Sequence, residues 1–352
     1  MKKYDYSFLR SLSVPVNFLN MTNAIYTLRT VEENKKESYP DIFTALKKIA
    51  IVQSVKSSNA IEGIVTTDRR IEDIVERSSA PLNHNEEEIA GYRDALNLIH
   101  SHYSELSVNE ETILTLHRIL LSKTAVGYGG RYKSENNVIT EILADGTNSI
   151  RWTPVSAIET PSAMRDLINA FMEARDDASI NQLLLIPCFI LDFLCIHPFR
   201  DGNGRMSRLL SLLLLYKAGF DIPMYVSFEE QINGRKSQYY KALKESSAGW
   251  HDNRNDYIPF TEDFLYTLYL CYKELDRRFP TLGSRKAGKK ERVENTVLSS
   301  IIPLSKREIM DILPDVSMTT VEEVLATMVR DGKIERIGNT RNARYLKKQE
   351  SL

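Results

Sequence analysis

Two mostly apolar stretches, Leu183 to Ile196 and Met206 to Lys217, flank a polar turn, HPFRDGNGR, at residues 197–205. A helix that is apolar all round has to be buried all round. The run from Leu183 to Phe199 contains Pro187 and Asp192 and is too short and broken for a membrane span of ~20 apolar residues. It is expected to form core. The chain must therefore build itself around two consecutive buried helices with a polar loop held at their junction.

That loop has the makings of an anion site. A Gly202-Asn203-Gly204 turn feeding a helix N-terminus aims several backbone N–H groups at one spot, as phosphate cradles do. Arg205 and Arg208, three apart, share one face of the new helix and add charge-assisted donors. Asp201 beside such a cradle suits Mg²⁺, which takes one or two carboxylates and completes its shell with phosphate oxygens and water. His197, ending the first helix, can act as a general base near neutral pH, and Phe199 is expected to anchor the loop by burying its ring. Packing explains a lone histidine or a glycine turn. It does not explain a base, a metal-type carboxylate, two turn glycines and two arginines within twelve positions.

The stretch resembles the Fic family signature HxFx(D/E)GNGRxxR, with His197, Phe199, Asp201, Gly202, Asn203, Gly204, Arg205 and Arg208 filling every specified place. The resemblance implies a mainly α fold: a Fic-type helical core with a β-hairpin flap. It also implies an activity, protein adenylyltransfer. His197 would deprotonate a Ser, Thr or Tyr hydroxyl of a target protein, Asp201 would hold Mg²⁺, and the loop would bind ATP while the hydroxyl attacks the α-phosphorus. The kinase-like Doc branch usually carries Lys at the second loop glycine, so Gly204 favours AMP transfer. Phosphocholine or UMP transfer stays open as an alternative.

Further segments extend the resemblance. Gly130-Arg-Tyr132, an Asp145-Gly146 turn between extended stretches and Trp152-Thr-Pro154 look like the family's flap, which holds the target by strand-like pairing. Tyr240, in Tyr239-Tyr240-Lys-Ala-Leu243, resembles the residue that lies against adenine. Near the N-terminus, Ser58-Asn-Ala-Ile-Glu62-Gly63 resembles the inhibitory motif (S/T)xxxE(G/N), which identifies the chain with the family's second class. Ser58 and Glu62 share one helix face at i and i+4. Glu62 also sits at a helix end where the dipole disfavours a carboxylate by ~0.3–1 kcal/mol, so it calls for a cationic partner. The resemblance names that partner as Arg208, and in some relatives the same glutamate supports AMP removal.

Apolar spacing predicts helices over much of the remainder. One covers about residues 40–62, with Gly63 as its stop. Another carries Ile89, Tyr92, Leu96 and Ile99, and a third starts at a capping box, Ser107 to Glu110. Later helices are expected over 237–247 and 261–278. Residues 1–100 are read as an N-terminal helical region with the inhibitory helix, 101–280 as the catalytic core, 281–291 as a linker and 292–352 as a winged-helix-like domain.

The whole chain of 352 residues carries 46 Lys and Arg against 47 Asp and Glu, a balance that favours neither nucleic acid nor membrane. Cys188, Cys195 and Cys271 lack metal or redox spacing and are expected to be buried thiols in a reducing cytoplasm. The N-terminus has no apolar stretch of the secretory kind and is expected to persist in the mature protein. From Ser284 onward 14 basic residues face 10 acidic ones. The excess gathers around Arg336, Arg341, Arg344, Lys347 and Lys348, while the helix over 318–330 offers Glu322 and Glu323 where a DNA reader wants basic side chains. A protein partner, a homodimer contact and DNA remain open as uses of this domain. Self-modification is open too, and the competing reading of the chain is a DNA-binding regulator with a Fic-like nucleotide sensor.

Overall fold

The computed structural model describes residues 2–142, 147–283, 288–300, 303–313, 315–338 and 343–348. Five helices come first: α1 (Val16–Ser38), α2 (Pro40–Ile61), α3 (Asp68–Arg77), α4 (His84–His102) and α5 (Glu110–Leu120). A two-stranded hairpin, β1 (Ile139–Ile142) and β2 (Asn148–Trp152), separates them from α6 (Thr160–Arg175), α7 (Gln182–Ile196) and α8 (Asn203–Lys217). The short α9 (Phe228–Gly234), then α10 (Lys236–Ser247) and the long α11 (Ile258–Gly283) follow. The C-terminal segment comprises α12 (Lys289–Ser299), β3 (Leu304–Ser305), α13 (Lys306–Ile312), α14 (Met318–Arg330), β4 (Ile334–Ile337) and β5 (Arg344–Lys347). The fold is mainly α.

The two apolar stretches of the sequence are α7 and α8, packed on each other at the centre of the core and walled by α4, α6, α10 and α11. Nearly every side chain of both helices is buried. Asp192, a carboxylate in the middle of α7, is fully buried because three donors meet it: Tyr6 Oη at 2.8 Å, Trp250 Nε1 at 2.6 Å and Tyr257 Oη at 3.0 Å. Burial without such partners would cost several kcal/mol. The same contacts fasten the N-terminal residues to the core, and α1 on α11 and α2 on α9 extend that packing. All three cysteines are buried and unbridged. Among the described residues no helix is long and apolar enough to cross a membrane.

Local signals decide most helix ends. Pro40 opens α2, where its missing N–H costs nothing; Gly63, at φ 80°, follows its close. The capping box at Ser305 and Glu308 forms with both reciprocal bonds. The one expected at Ser107 does not. The cap of α5 is Asn109, whose side chain accepts from the Thr112 N–H at 2.9 Å, because an asparagine adjacent to the first helical residue reaches that donor and Ser107 lies two residues too early. Helix α11 continues to Gly283, past the expected end near 278. The Asp145-Gly146 turn lies outside the described residues, as do Asn339 and Arg341 in the C-terminal hairpin. That segment's strands pair antiparallel in the order β3-β5-β4.

Candidate active site

His197 closes α7 in the left-handed region, at φ 51° and ψ 62°, a conformation that costs a side-chain-bearing residue about 1–2 kcal/mol. Two bonds hold it there: its N–H donates to the Phe193 carbonyl at 3.0 Å, and its own carbonyl accepts from Lys133 Nζ at 3.0 Å. Lys133 also donates to the Ile196 carbonyl at 3.3 Å and Asn137 Oδ1 at 3.0 Å, capping the negative end of α7. Burial pushes that ammonium down to about 8. Burial first, and Lys133 second, push the His197 imidazole down to about 4, so it is neutral at pH 7. Its Nδ1 has no hydrogen-bond partner among the described residues. That nitrogen is fully buried, so the one left to accept a proton from a substrate is Nε2.

Beyond His197 the chain folds back on itself. Phe199 is fully buried, its ring stacked on His117 at 3.7 Å between centroids. Asn203 braces the turn: Phe199 N–H donates to its Oδ1 at 2.9 Å and its Nδ2 donates to the Phe199 carbonyl at 2.8 Å. Its amide is therefore spent inside the loop, and only the backbone of Asn203 remains for an anion. Gly202 takes φ 80°, and a Cβ there would press on Leu120 at 3.1 Å. Arg205 is buried; Nη2 pairs with Glu88 at 2.6 Å and with Asp201 at 3.3 Å, leaving Nε and Nη1 without partners among the described residues. Asp201 itself is half exposed.

His117 carried no signal in the sequence, sitting as one more residue in the amphipathic α5. In the fold its Nδ1 accepts the Gly130 N–H at 3.0 Å and its Nε2–H donates to the Asp201 carbonyl at 3.1 Å. Burial pushes its pKa down to about 4, which keeps the neutral tautomer that both bonds need. One ring thus ties the flap base to the loop. His117→Phe keeps the stacking and deletes both bonds; it is expected to cost about 2 kcal/mol, read from the urea midpoint. An unchanged midpoint would show that the tie carries no stability.

A cavity of about 160 Å³ opens beside His197, lined among others by Gly204, Arg208, Arg151, Trp152, Tyr239 and Tyr240. Tyr239 is buried, whereas Tyr240 is partly exposed and stacks beneath the Arg151 guanidinium at 5.2 Å. The hairpin is anchored over this cavity by Trp152 Nε1 on the Cys195 carbonyl at 2.9 Å and by Lys244 on Glu141 at 2.9 Å. Val138 and Ile150 face solvent on it.

The N-terminal helix α2 enters the same cavity. Arg208, 2% exposed, donates Nε to Ser58 Oγ and Nη2 to both the Ser58 carbonyl and Glu62 Oε1, each at 2.8 Å. Burial works to raise the Glu62 carboxyl, but the Arg208 guanidinium overrides it and holds the group below its ordinary value. A Cβ at position 204 would overlap the Glu62 carboxylate, so the room that Gly204 leaves is filled by α2. Of the residues expected at the site, the cavity gathers His197, Gly204, Arg208, Tyr240 and Glu62. Asp201 and Arg205 stand together outside its lining. No group of three or more His, Cys, Asp or Glu suited to a metal occurs among the described residues. A lone, half-exposed Asp201 fits an ion that draws its other ligands from phosphate and water.

Residues 107–215 match the Fic/DOC family. The chain is similar to "Protein adenylyltransferase Fic" of Nematostella vectensis, 28% identical over 215 residues that cover 57% of this chain and 44% of that protein. The Drosophila grimshawi protein of the same name is 25% identical over 268 residues, covering 70% of this chain and 52% of its own. The chain thus spans about half the length of these curated relatives. Among solved structures, a Fic family protein from Desulfovibrio desulfuricans superposes with a TM-score of 0.62 at 21% identity, covering 97% of this chain and 98% of that one. A Fic domain containing signaling protein from Bacteroides thetaiotaomicron gives 0.59 at 23% identity, over 71% and 94%. At these identities the structural likeness establishes the fold.

Proposed function

The chain carries a Fic/DOC family domain over residues 107–215, and from that premise we propose that it is a protein adenylyltransferase, moving AMP from ATP to a Ser, Thr or Tyr hydroxyl of a target protein. The observation that carries this reading is the neutral His197 imidazole, its Nδ1 buried and its Nε2 left for a substrate, at the edge of a cavity that also holds Arg208 and Tyr240. The imidazole takes the hydroxyl proton as the oxygen forms a bond to the α-phosphorus, and the bond to the bridging oxygen breaks with its electron pair leaving on pyrophosphate. The backbone N–H groups at residues 203 and 204, the start of α8, together with Arg208, bind the phosphates, while Arg205, buried against Glu88 and Asp201, holds the loop. Asp201 would hold Mg²⁺, which neutralises phosphate charge. Tyr240 under Arg151 offers its ring to adenine, and the exposed hairpin offers its strand edge to the target.

In the present arrangement the enzyme is held off. Glu62 occupies Arg208 and stands in the space above Gly204 that a terminal phosphate requires. We read residues 292–352 as a winged-helix-like unit on the strength of its helices and terminal hairpin. ATP labelled at the α-phosphate is expected to leave label on protein, and ATP labelled at the γ-phosphate to leave none. Label from the γ-position alone would make the chain a kinase and sink this reading.

A further inference from the structure

The hairpin beside His197 contains a bulge. Ile139 of β1 pairs with Trp152, whereas Thr140 pairs with Ile150, so Arg151 is an extra residue of β2 that faces no partner across the ladder. Successive side chains of a regular strand point to opposite faces, yet Arg151 and Trp152 both line the cavity of His197. The bulge turns both inward, and bulges beside active sites serve to re-aim a side chain. Trp152 is fastened there, stacked on His251 and donating to the Cys195 carbonyl at 2.9 Å. Arg151 is held more loosely. Its Nη2 donates to the Tyr240 carbonyl at 3.2 Å, and its guanidinium lies over the Tyr240 ring at 5.2 Å.

The surroundings leave that guanidinium for a ligand. Among the described residues the cavity lining has one carboxylate, Glu62, and Arg208 holds it at 2.8 Å. Glu141, on the partner strand, is taken by Lys244 at 2.9 Å. A guanidinium is planar and stacks on aromatic faces, so Arg151 and Tyr240 are the two jaws of a slot that suits a flat ring system. Leu243, one turn along α10, adds an apolar wall. Two stacking contacts of ~3.5 Å each need about 7 Å, so the guanidinium has to rise by roughly 2 Å for a ring to enter. That movement gives up one long hydrogen bond, and the entering ring restores the stacking on both jaws.

We infer that Arg151 is a specificity residue for the nucleotide: it clamps the purine of the incoming nucleoside triphosphate against Tyr240 by stacking on the opposite face of the base. The ligand's identity rests on the proposed adenylyl transfer. The clamp selects by ring area, since a purine covers both jaws where a pyrimidine leaves part of each bare. Phosphate is not its target, because Arg208 and the start of α8 receive that end of the nucleotide.

Binding is read by calorimetry in the full chain carrying Glu62→Gly, so that the cavity is open. Arg151→Ala is expected to weaken ATP roughly fivefold to a hundredfold, the range of one lost base stack, and UTP by no more than about twofold. Arg151→Trp keeps a stacking plane without the charge and should hold ATP within about threefold of the parent. Arg151→Lys keeps the charge without the plane and should lose about as much affinity as Arg151→Ala. ATP affinity unchanged in Arg151→Ala, equal losses for ATP and UTP, or rescue by Lys and not by Trp overturns the clamp and leaves the proposed transfer standing. No ATP binding by the Glu62→Gly parent overturns both.

Discussion

Glu62→Gly is expected to raise incorporation of α-labelled AMP by roughly tenfold to a hundredfold, the factor that corresponds to losing one charge-assisted hydrogen bond. The present geometry gives the reason. Glu62 Oε1 lies 2.8 Å from Arg208 Nη2 and fills the gap above Gly204, so under the proposed function ATP binds productively only after the carboxylate withdraws. Glycine removes the competitor and leaves Ser58 on Arg208. A second readout follows from the burial of Arg208: without ATP the variant holds a buried, less compensated guanidinium and should unfold at lower temperature than wild type. Saturating ATP should then return more stability to the variant than to the wild type, because phosphate takes the place of Glu62. Equal labelling of variant and wild type would sink the inhibitory role.

His197→Ala, made in the Glu62→Gly background so that the starting rate is high, is expected to lower labelling by about a hundredfold to ten-thousandfold, the usual worth of a general base. ATP binding should persist, since Arg208 and the start of α8 are untouched. The pH profile carries a sharper signature. An ordinary histidine loses its basic form near 6.5; His197, pushed down to about 4, stays neutral well below that. Initial rates should therefore remain level from pH 7 toward 5 while the protein stays folded. Stability moves the other way. His197, His117 and His100 all have folded pKa values below the unfolded one, at about 4, 4 and 3. Their contribution is complete above 6.5 and is lost as pH falls through 4, because the unfolded chain takes up protons that the fold refuses. Circular dichroism at each pH separates the two effects. A rate that halves near 6.5 in folded protein would exclude His197 as described.

Both experiments rest on residues that were readable because their signals are local. The loop from His197 to Arg208 is twelve consecutive positions, and the apolar helices that hold it announce themselves by composition. Ser58 and Glu62 were legible as an i, i+4 pair beside a glycine stop. The remaining parts of the site come from contacts between distant segments, for which spacing offers no code. His117 reaches across 84 positions to Asp201, and Lys133 across 64 to the carbonyl of His197. Each is an ordinary helix or loop residue until the partner arrives.

The loop shows the division most clearly. Its sequence by itself determined that a base, a carboxylate, a glycine turn and two arginines would share one bend between two buried helices, since a continuous apolar run can only be satisfied by burial. Only the tertiary structure decided what each was free to do. Asn203 is consumed in bracing Phe199, Arg205 is turned to Glu88, and Arg208 is held by a helix 146 positions earlier in the chain. The physical reason is that a buried donor must be paired wherever the fold brings an acceptor, and which acceptor arrives is a property of packing across the whole chain.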